Sequence, residues 1–536
     1  MNRLRTRQDL QQPTGVWTNG FGYDAARRLT HVTSPAGAFN YLLPGTRPSS
    51  LVSRLSLPNG SYITNTYDNV ARLTGTHLKN SSHSTLNSHA YTYNTGNQRT
   101  QQTFADASTH GYTYDNIGQL KRADSSINSE DKGYAYDAAW NLNYRTNSAG
   151  TDSFSVDGKN QLTAVNSYTD TYDSSGNLTL HDLNWGDDTT EFLYDGENRL
   201  RNATYYYLGS PAVNLSFQYD GLGRLRLRTS YDHIYDTTEV TRYIYDGWRV
   251  IQERDDSNTP TVSYTRGTDL SGTLEGAGGI GGLLARSDGY SSGTFTTNNF
   301  YHADGNGNIT YMVNSSQTLA ASYRYDAFGN LLSSSGSLAG ANKYRFSSKE
   351  WVDIDPWTQS IPGIYYYGYR FYVPSLQRWP NRDPLGDLGS PVYTRDSTVY
   401  SIIREPVEMW QSANLFSFVL NRPTDFIDPW GLAGQLCTDK NCDKKKCPAK
   451  NLPEEGWEEK RDKGEDPWED IPDPGKCADS DGVATPKGVL KIPNNCTCTI
   501  KCNADGSPKN LSCVCEPLWP WPRPPKPKDR FPPSPF

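Results

Sequence analysis

The sequence predicts an all-β protein, one long array of β-hairpins, and three observations predict it. Aromatic-Asp pairs recur along most of the chain: Tyr23-Asp24, Tyr67-Asp68, Tyr114-Asp115, Tyr136-Asp137, Tyr172-Asp173, Tyr194-Asp195, Tyr219-Asp220, Tyr245-Asp246 and Tyr325-Asp326, with Tyr93-Asn94 and Val156-Asp157 as variants. A spacing of about 20 to 25 residues belongs to repeat architectures, whose units bury a core only by stacking on their neighbours. Side chains before each acid alternate with period two, as in Tyr112-Thr113-Tyr114 and Phe217-Gln218-Tyr219, which is the periodicity of a strand. The 46 glycines and 33 prolines punctuate these segments, and a hydrophobic share of 35% suits a thin sheet with much solvated surface.

Each unit reads as strand, turn, strand. After the acid come two or three turn residues, a basic or polar residue and Leu, as in Tyr219-Asp220-Gly221-Leu222-Gly223-Arg224-Leu225. An Asp there accepts hydrogen bonds from nearby backbone amides, and Gly or Asn tolerates positive φ, so the repeated acids are structural. Tyr, at 36 of 536 residues, is the commonest aromatic; its ring suits packing on one face, with the hydroxyl reaching solvent or a backbone group.

Composition narrows the function classes. A net charge of −7, with no basic patch interleaved with aromatics, disfavours non-specific nucleic-acid binding by the array. Residues 1–15 carry charge without an apolar stretch after them, and no run approaches 18 apolar residues, so neither a signal peptide nor a membrane-spanning segment is predicted. A repeat begins almost at once, as expected of a shortened reading frame.

The composition breaks at Leu432. All nine cysteines follow it and all eight histidines precede it; residues 433–536 also hold 17 of the 33 prolines and balance 17 Lys+Arg against 17 Asp+Glu. Such cysteine density fits a disulfide-stapled module, with zinc binding or free thiols as the alternatives. The segment has Cys496-x-Cys498 and Cys513-x-Cys515 but no Cys-x-x-Cys and no histidine, which argues against zinc and against Ser-His or Cys-His hydrolysis. Its Pro-rich end, 517–536, reads as an extended spacer.

Gly276-Ala277-Gly278-Gly279-Ile280-Gly281 matches the dinucleotide fingerprint in letters only, since it lies between polar stretches within a β-array; a tight backbone path is the better account. His302 lies in a degenerate repeat whose Asp304 takes the acid slot, and is read as a packed histidine. No cofactor or metal is expected.

The most specific segment runs from 323 to 432. It contains Tyr323-Arg324-Tyr325-Asp326-Ala327-Phe328-Gly329-Asn330, Tyr344-Arg345-Phe346-Ser347-Ser348-Lys349-Glu350, Ile364-Tyr365-Tyr366-Tyr367-Gly368-Tyr369-Arg370-Phe371-Tyr372, Arg382-Asp383-Pro384-Leu385-Gly386 and Asp428-Pro429-Trp430-Gly431-Leu432. These motifs resemble the RHS/YD-repeat family and its RHS-associated core domain, found also in the C component of insecticidal Tc toxins and, more distantly, in teneurins. The resemblance covers residues from about 16 to 432. It implies a spiralling β-hairpin shell, a full or partial cage, with an inward-curling core segment and a small Cys-rich, Pro-rich C-terminal module. Coiling would also hide the pairing edges of so long a strip. The implied division is an N-terminal segment 1–15, a repeat array 16–274, a core domain 275–432 and a variable domain 433–536. Two stretches lengthen the core relative to the family, Trp351–Pro362 and Gly389–Asn414.

By the same resemblance, the core is an aspartic-type self-processing protease cutting between Leu432 and Ala433. Asp383 is implied as an acid of the site, Arg382 as its charge partner and Asp428 as the acid of the second motif, with Asp387 and Asp425 as further candidates for the second carboxylate. Two carboxylates sharing a proton can activate water and polarise a carbonyl. The implied cargo is the chain's own C-terminal segment, often a toxin in this family, with an immunity protein and delivery machinery as partners and a secreted or cell-surface location. The rival reading is a surface adhesion protein whose Tyr-rich face binds glycans and whose tail is a stapled extracellular module.

Overall fold

A computed structural model describes residues 4–43, 51–184, 187–355, 361–384 and 414–432, together with the backbone of strands Gln435–Leu436, Cys496–Cys502 and Pro508–Cys515. The tail's side chains, Asp387 and Ala433 lie outside the described residues. The chain divides into two compact units, Met1–Asn441 and Cys442–Phe536. In the second, the hairpin register sets Cys496 opposite Cys515 and Cys498 opposite Cys513.

The first unit is dominated by one antiparallel sheet of 29 strands, from Arg7–Gln11 to Leu331–Ser335, each paired with its neighbours in sequence. Its hairpins turn at the repeated acids. At Asp115, the N–H of Gly118 donates to the Asp115 carbonyl (3.1 Å), while Oδ1 accepts from Ile117 N (3.0 Å) and Gln119 N (2.8 Å). Position four of the turn takes positive φ, at Gly118, Gly176, Gly223 and Gly329 but also at Ala71 and Trp140. The register slips by one residue just before each acid, the bulge that a five-residue loop of this kind imposes. Asp246 departs from the pattern: it sits opposite Arg249 in a tighter turn and ion-pairs with Arg249 and Arg5.

Several repeats lock to the one before through the Tyr of the pair. Its hydroxyl donates to the carbonyl of the residue that opens the second strand of the repeat before, as from Tyr93 to Leu73 (2.7 Å), Tyr136 to Leu120 (2.9 Å) and Tyr245 to Leu225 (2.7 Å). The turn arginine adds a second link, since Arg224 bonds Asp220 Oδ2 (2.9 Å) and lies 5.0 Å over the Tyr245 ring. The fully buried ring of a repeat stands two residues earlier, at Tyr112, Phe217 or Tyr243.

The sheet coils until it lies beside its own beginning. Hydrogen bonds cross between residues 215 to 258 positions apart: Asn87 to His302 (3.0 Å), Gln252 to Gln12 (3.0 Å), Asn59 to the Asn314 carbonyl (2.8 Å) and Gln317 to the Asn59 carbonyl (2.6 Å). His302 is packed in this seam against Thr76 (3.1 Å), and its ring stacks 6.0 Å from His89, which in turn contacts Thr310 (2.9 Å) and Gln102 (3.1 Å).

Burial pushes His89 down to about 3 and His302 well below its ordinary value, with Arg99, Arg324 and His77 adding repulsion around the pair. Both remain neutral in the fold while the unfolded chain protonates near 6.5, so stability is complete above that pH and falls as pH drops below it. Each histidine is expected to cost about 1.4 kcal/mol per pH unit in that window. Thermal unfolding at pH 7 and pH 5 checks this, and a double His89→Gln, His302→Gln variant should lose much of the acid sensitivity.

The described residues between 342 and 427 pack against the repeats through the main apolar cluster. Their three-stranded sheet, Glu350–Asp353, Gly363–Tyr366 and Phe371–Tyr372, joins that cluster through Tyr365 and Tyr372, and Trp379 and Phe418 join it from the residues that follow. Polar side chains of this segment bond to the repeat turns: Asn414 to the Ala139 carbonyl (3.0 Å), Asn421 to Trp140 (2.8 Å) and Asn381 to Asn198 (3.0 Å). Among the described residues no helix is long and apolar enough to cross a membrane.

Candidate processing site

Arg370 is held by a tight hairpin, Tyr367 N bonding the Arg370 carbonyl (2.9 Å) with Gly368 at φ +110°. Its guanidinium joins four parts of the core. It ion-pairs with Asp383, donates to the Gly431 carbonyl, donates to the Leu415 carbonyl (3.1 Å) and lies 4.1 Å over the Trp379 ring. Asp383 is 0% exposed, and its own N–H is fixed to the Leu415 carbonyl (3.1 Å).

Asp428 folds the second motif around itself. Its Oδ1 accepts from the N–H groups of Trp430 (3.0 Å), Gly431 (2.7 Å) and Leu432 (3.2 Å). Burial pushes its carboxyl up, against the opposing pull of Arg370 and these amides. The turn rests on the glycine-rich loop: a Cβ on Gly278 would stand 2.1 Å from the Pro429 carbonyl oxygen. The amides of Ala277 (2.7 Å) and Gly279 (3.1 Å) in that loop donate to Asp269, so an internal carboxylate holds it. Past the turn, Gln435–Leu436 pairs antiparallel with Phe426–Ile427.

Lys349 completes the surroundings. Its Nζ donates to the carbonyls of Pro429 (2.6 Å) and Gly278 (3.2 Å), and burial pushes it down to about 7 despite the nearby Asp428.

Arg370 thus joins buried Asp383 to the Gly431 carbonyl of the second motif and lies within electrostatic reach of Asp428, which in turn holds the Leu432 N–H. The guanidinium found on Asp383 is that of Arg370, across the core, whereas the Arg382 side chain lies against Gly176. Asp425 is engaged elsewhere, with Arg422 (3.2 Å) and the N–H of Arg99 (3.4 Å). Sequence reasoning missed Arg370 and Lys349, although both lie within motifs quoted for the core. No spacing rule links residue 370 to residue 383; the hairpin does.

No protein-family model matches the chain. It is 25% identical over 332 residues to the double-stranded DNA deaminase toxin A of Burkholderia cenocepacia, covering 60% of this chain and 20% of that protein. It is 27% identical over 311 residues to the tRNA3(Ser)-specific nuclease WapA of Bacillus spizizenii, covering 57% of this chain and 11% of that one. Thus it spans a fifth or less of the length of these curated relatives. Among solved structures, a TcdB2-TccC3-TEV crystal structure superposes with a TM-score of 0.53 at 17% identity, covering 78% of this chain and 22% of that one. The Tc holotoxin pore of Photorhabdus luminescens also gives 0.53, at 16% identity, covering 79% and 21%. Taken with the Tyr-Asp turns and the neighbour-to-neighbour meander, these likenesses give the chain the repeat-shell fold of the Tc structures and agree with its resemblance to RHS/YD-repeat proteins.

Proposed function

We propose that this chain is the shell segment of a toxin-delivery protein that holds a variable C-terminal domain, residues 433–536, and releases it by cutting its own backbone after Leu432. One observation carries the reading: the guanidinium that pairs with Asp383 also binds the Gly431 carbonyl, while Asp428 holds the Leu432 N–H. The chain entering the bond is therefore fixed beside two carboxylates. In the proposed step, Asp383 accepts a proton from water as the water adds to the Leu432 carbonyl. Asp428, its carboxyl pushed up by burial, supplies the proton that the Ala433 amine carries away. The toxin names of the relatives and the Tc assemblies among the fold neighbours support a cargo role and a delivery machinery as partner, with a secreted or target-cell location.

The test is the mass of the purified full chain with sequencing of any new amino terminus. A fragment beginning at Ala433 is expected, and Asp383→Asn should leave a single uncut chain. An uncut unmodified chain overturns self-processing and turns attention to the adhesion reading.

A further inference from the structure

Five positions after the turn acid, the repeats bury a leucine: Leu120, Leu142, Leu162, Leu178, Leu200 and Leu225. After Asn94 that place is taken by Arg99, which is as buried as the leucines at 3% exposed. Its guanidinium lies 4.1 Å over the Tyr91 ring, and its Nε has no hydrogen-bond partner. Asp304 is within electrostatic reach, but its oxygens are occupied by its own turn, accepting from Asn306 N (2.9 Å), Asn308 N (3.0 Å) and Asn308 Nδ2 (2.9 Å). Burial also pushes the Asp304 carboxyl up, which weakens it as a counter-charge.

A buried charge lacking a bonded partner costs several kcal/mol, and a leucine would fit the repeat without that cost. Such a break of a local rule marks a site more often than a defect. The space beside Arg99 supports this. A cavity of about 160 Å³ is lined by Arg99, by the apolar Val52, Ile63, Leu73, Leu270 and Leu284, and by polar residues that include Asp269 and Asp304, whose carboxylates are engaged by backbone amides of their own loops. In volume, though not in its mixed polar and apolar lining, it is comparable to a cavity that admits benzene. Gly305 keeps room beside the guanidinium, since a Cβ there would stand 3.1 Å from an Arg99 terminal nitrogen and 3.0 Å from the Tyr91 ring.

We propose that this cavity binds a small organic carboxylate, whose apolar body lies on the aliphatic lining while its carboxylate pairs with Arg99. A charge-assisted fork of this kind would supply the hydrogen bonds that the fold itself withholds from the guanidinium. The site is separate from the processing turn and does not depend on cleavage.

Calorimetric titration of the full chain with benzoate tests it, with benzyl alcohol as the uncharged control and inorganic phosphate as the anion without an apolar body. Saturable one-site benzoate binding is expected, with each control weaker by about tenfold or more. Arg99→Leu, the residue the other repeats carry, should abolish benzoate binding and melt no lower than the unmodified chain; Arg99→Lys, which keeps the charge and loses the fork, should bind about tenfold more weakly. Absence of saturable benzoate binding to the unmodified chain, benzyl alcohol binding as well as benzoate, or undiminished binding by Arg99→Leu overturns the proposal and leaves the cavity to water.

Discussion

Arg370→Met is expected to yield a chain that stays whole at Leu432 and unfolds at markedly lower urea concentration. The substitution keeps much of the side-chain volume over Trp379 but strands Asp383, whose carboxylate is 0% exposed, without its guanidinium. Breaking a buried ion pair from one side costs about 3–5 kcal/mol, mostly from the charge left behind. The Gly431 and Leu415 carbonyls lose their donor in the same step. Arg370→Lys separates charge from shape: it retains a cation for Asp383 but cannot reach three acceptors with a planar fork. Equilibrium unfolding and the presence of the Ala433 fragment are the two readouts. If Arg370→Met is cut at the normal rate, Arg370 has no part in positioning the bond.

Trp379→Ala should be about as damaging to the fold, for a different reason. The ring is 1% exposed and meets Tyr367 at 5.3 Å, Tyr372 at 5.6 Å and Phe418 at 5.6 Å between centroids, so its removal opens a void bounded by rigid rings. Deleting a buried Trp side chain costs about 3–5 kcal/mol. The counterpart on the outer face is Leu193, which is 60% exposed, and Leu193→Ala should change stability by less than about 0.5 kcal/mol. Paired denaturant curves decide the matter, and equal losses for the two variants would mean that the aromatic cluster contributes no more than the outer surface.

What was legible in the sequence was whatever is local. A Tyr-Asp pair followed by a residue able to take positive φ specifies its hairpin within about eight positions, so the turns at Asp115 and Asp220 could be placed by counting. Counting failed at Asp246, where the tighter turn keeps the letters but directs the carboxylate to Arg249 and Arg5. Beyond the hairpin the information lies in three dimensions. Asn87 meets His302 because the wall has come round once, and nothing in a 22-residue period states how many repeats complete a circuit. The processing motifs were readable as letters, while the arginine that joins them was not, because the Tyr367–Arg370 hairpin brings it to Asp383. Arg99 escaped the sequence reading for the opposite reason: it lies in the slot that the repeat gives to Leu, and only burial reveals that it stands inside as a leucine would.

The meander has a mechanical corollary. Every ladder in the long sheet ties a strand to its immediate neighbours in sequence, whereas the described bonds between one revolution and the next each involve a side chain. Tension applied at the amino end would therefore peel the ribbon one strand pair at a time, each step at low force, because an antiparallel ladder opened from its edge yields bond by bond. Prying the coil apart sideways meets scattered amide and hydroxyl contacts rather than a continuous ladder, so a whole circuit would come free together. A wall built this way can be stiff as a whole and still be unravelled end-first by a weak pull.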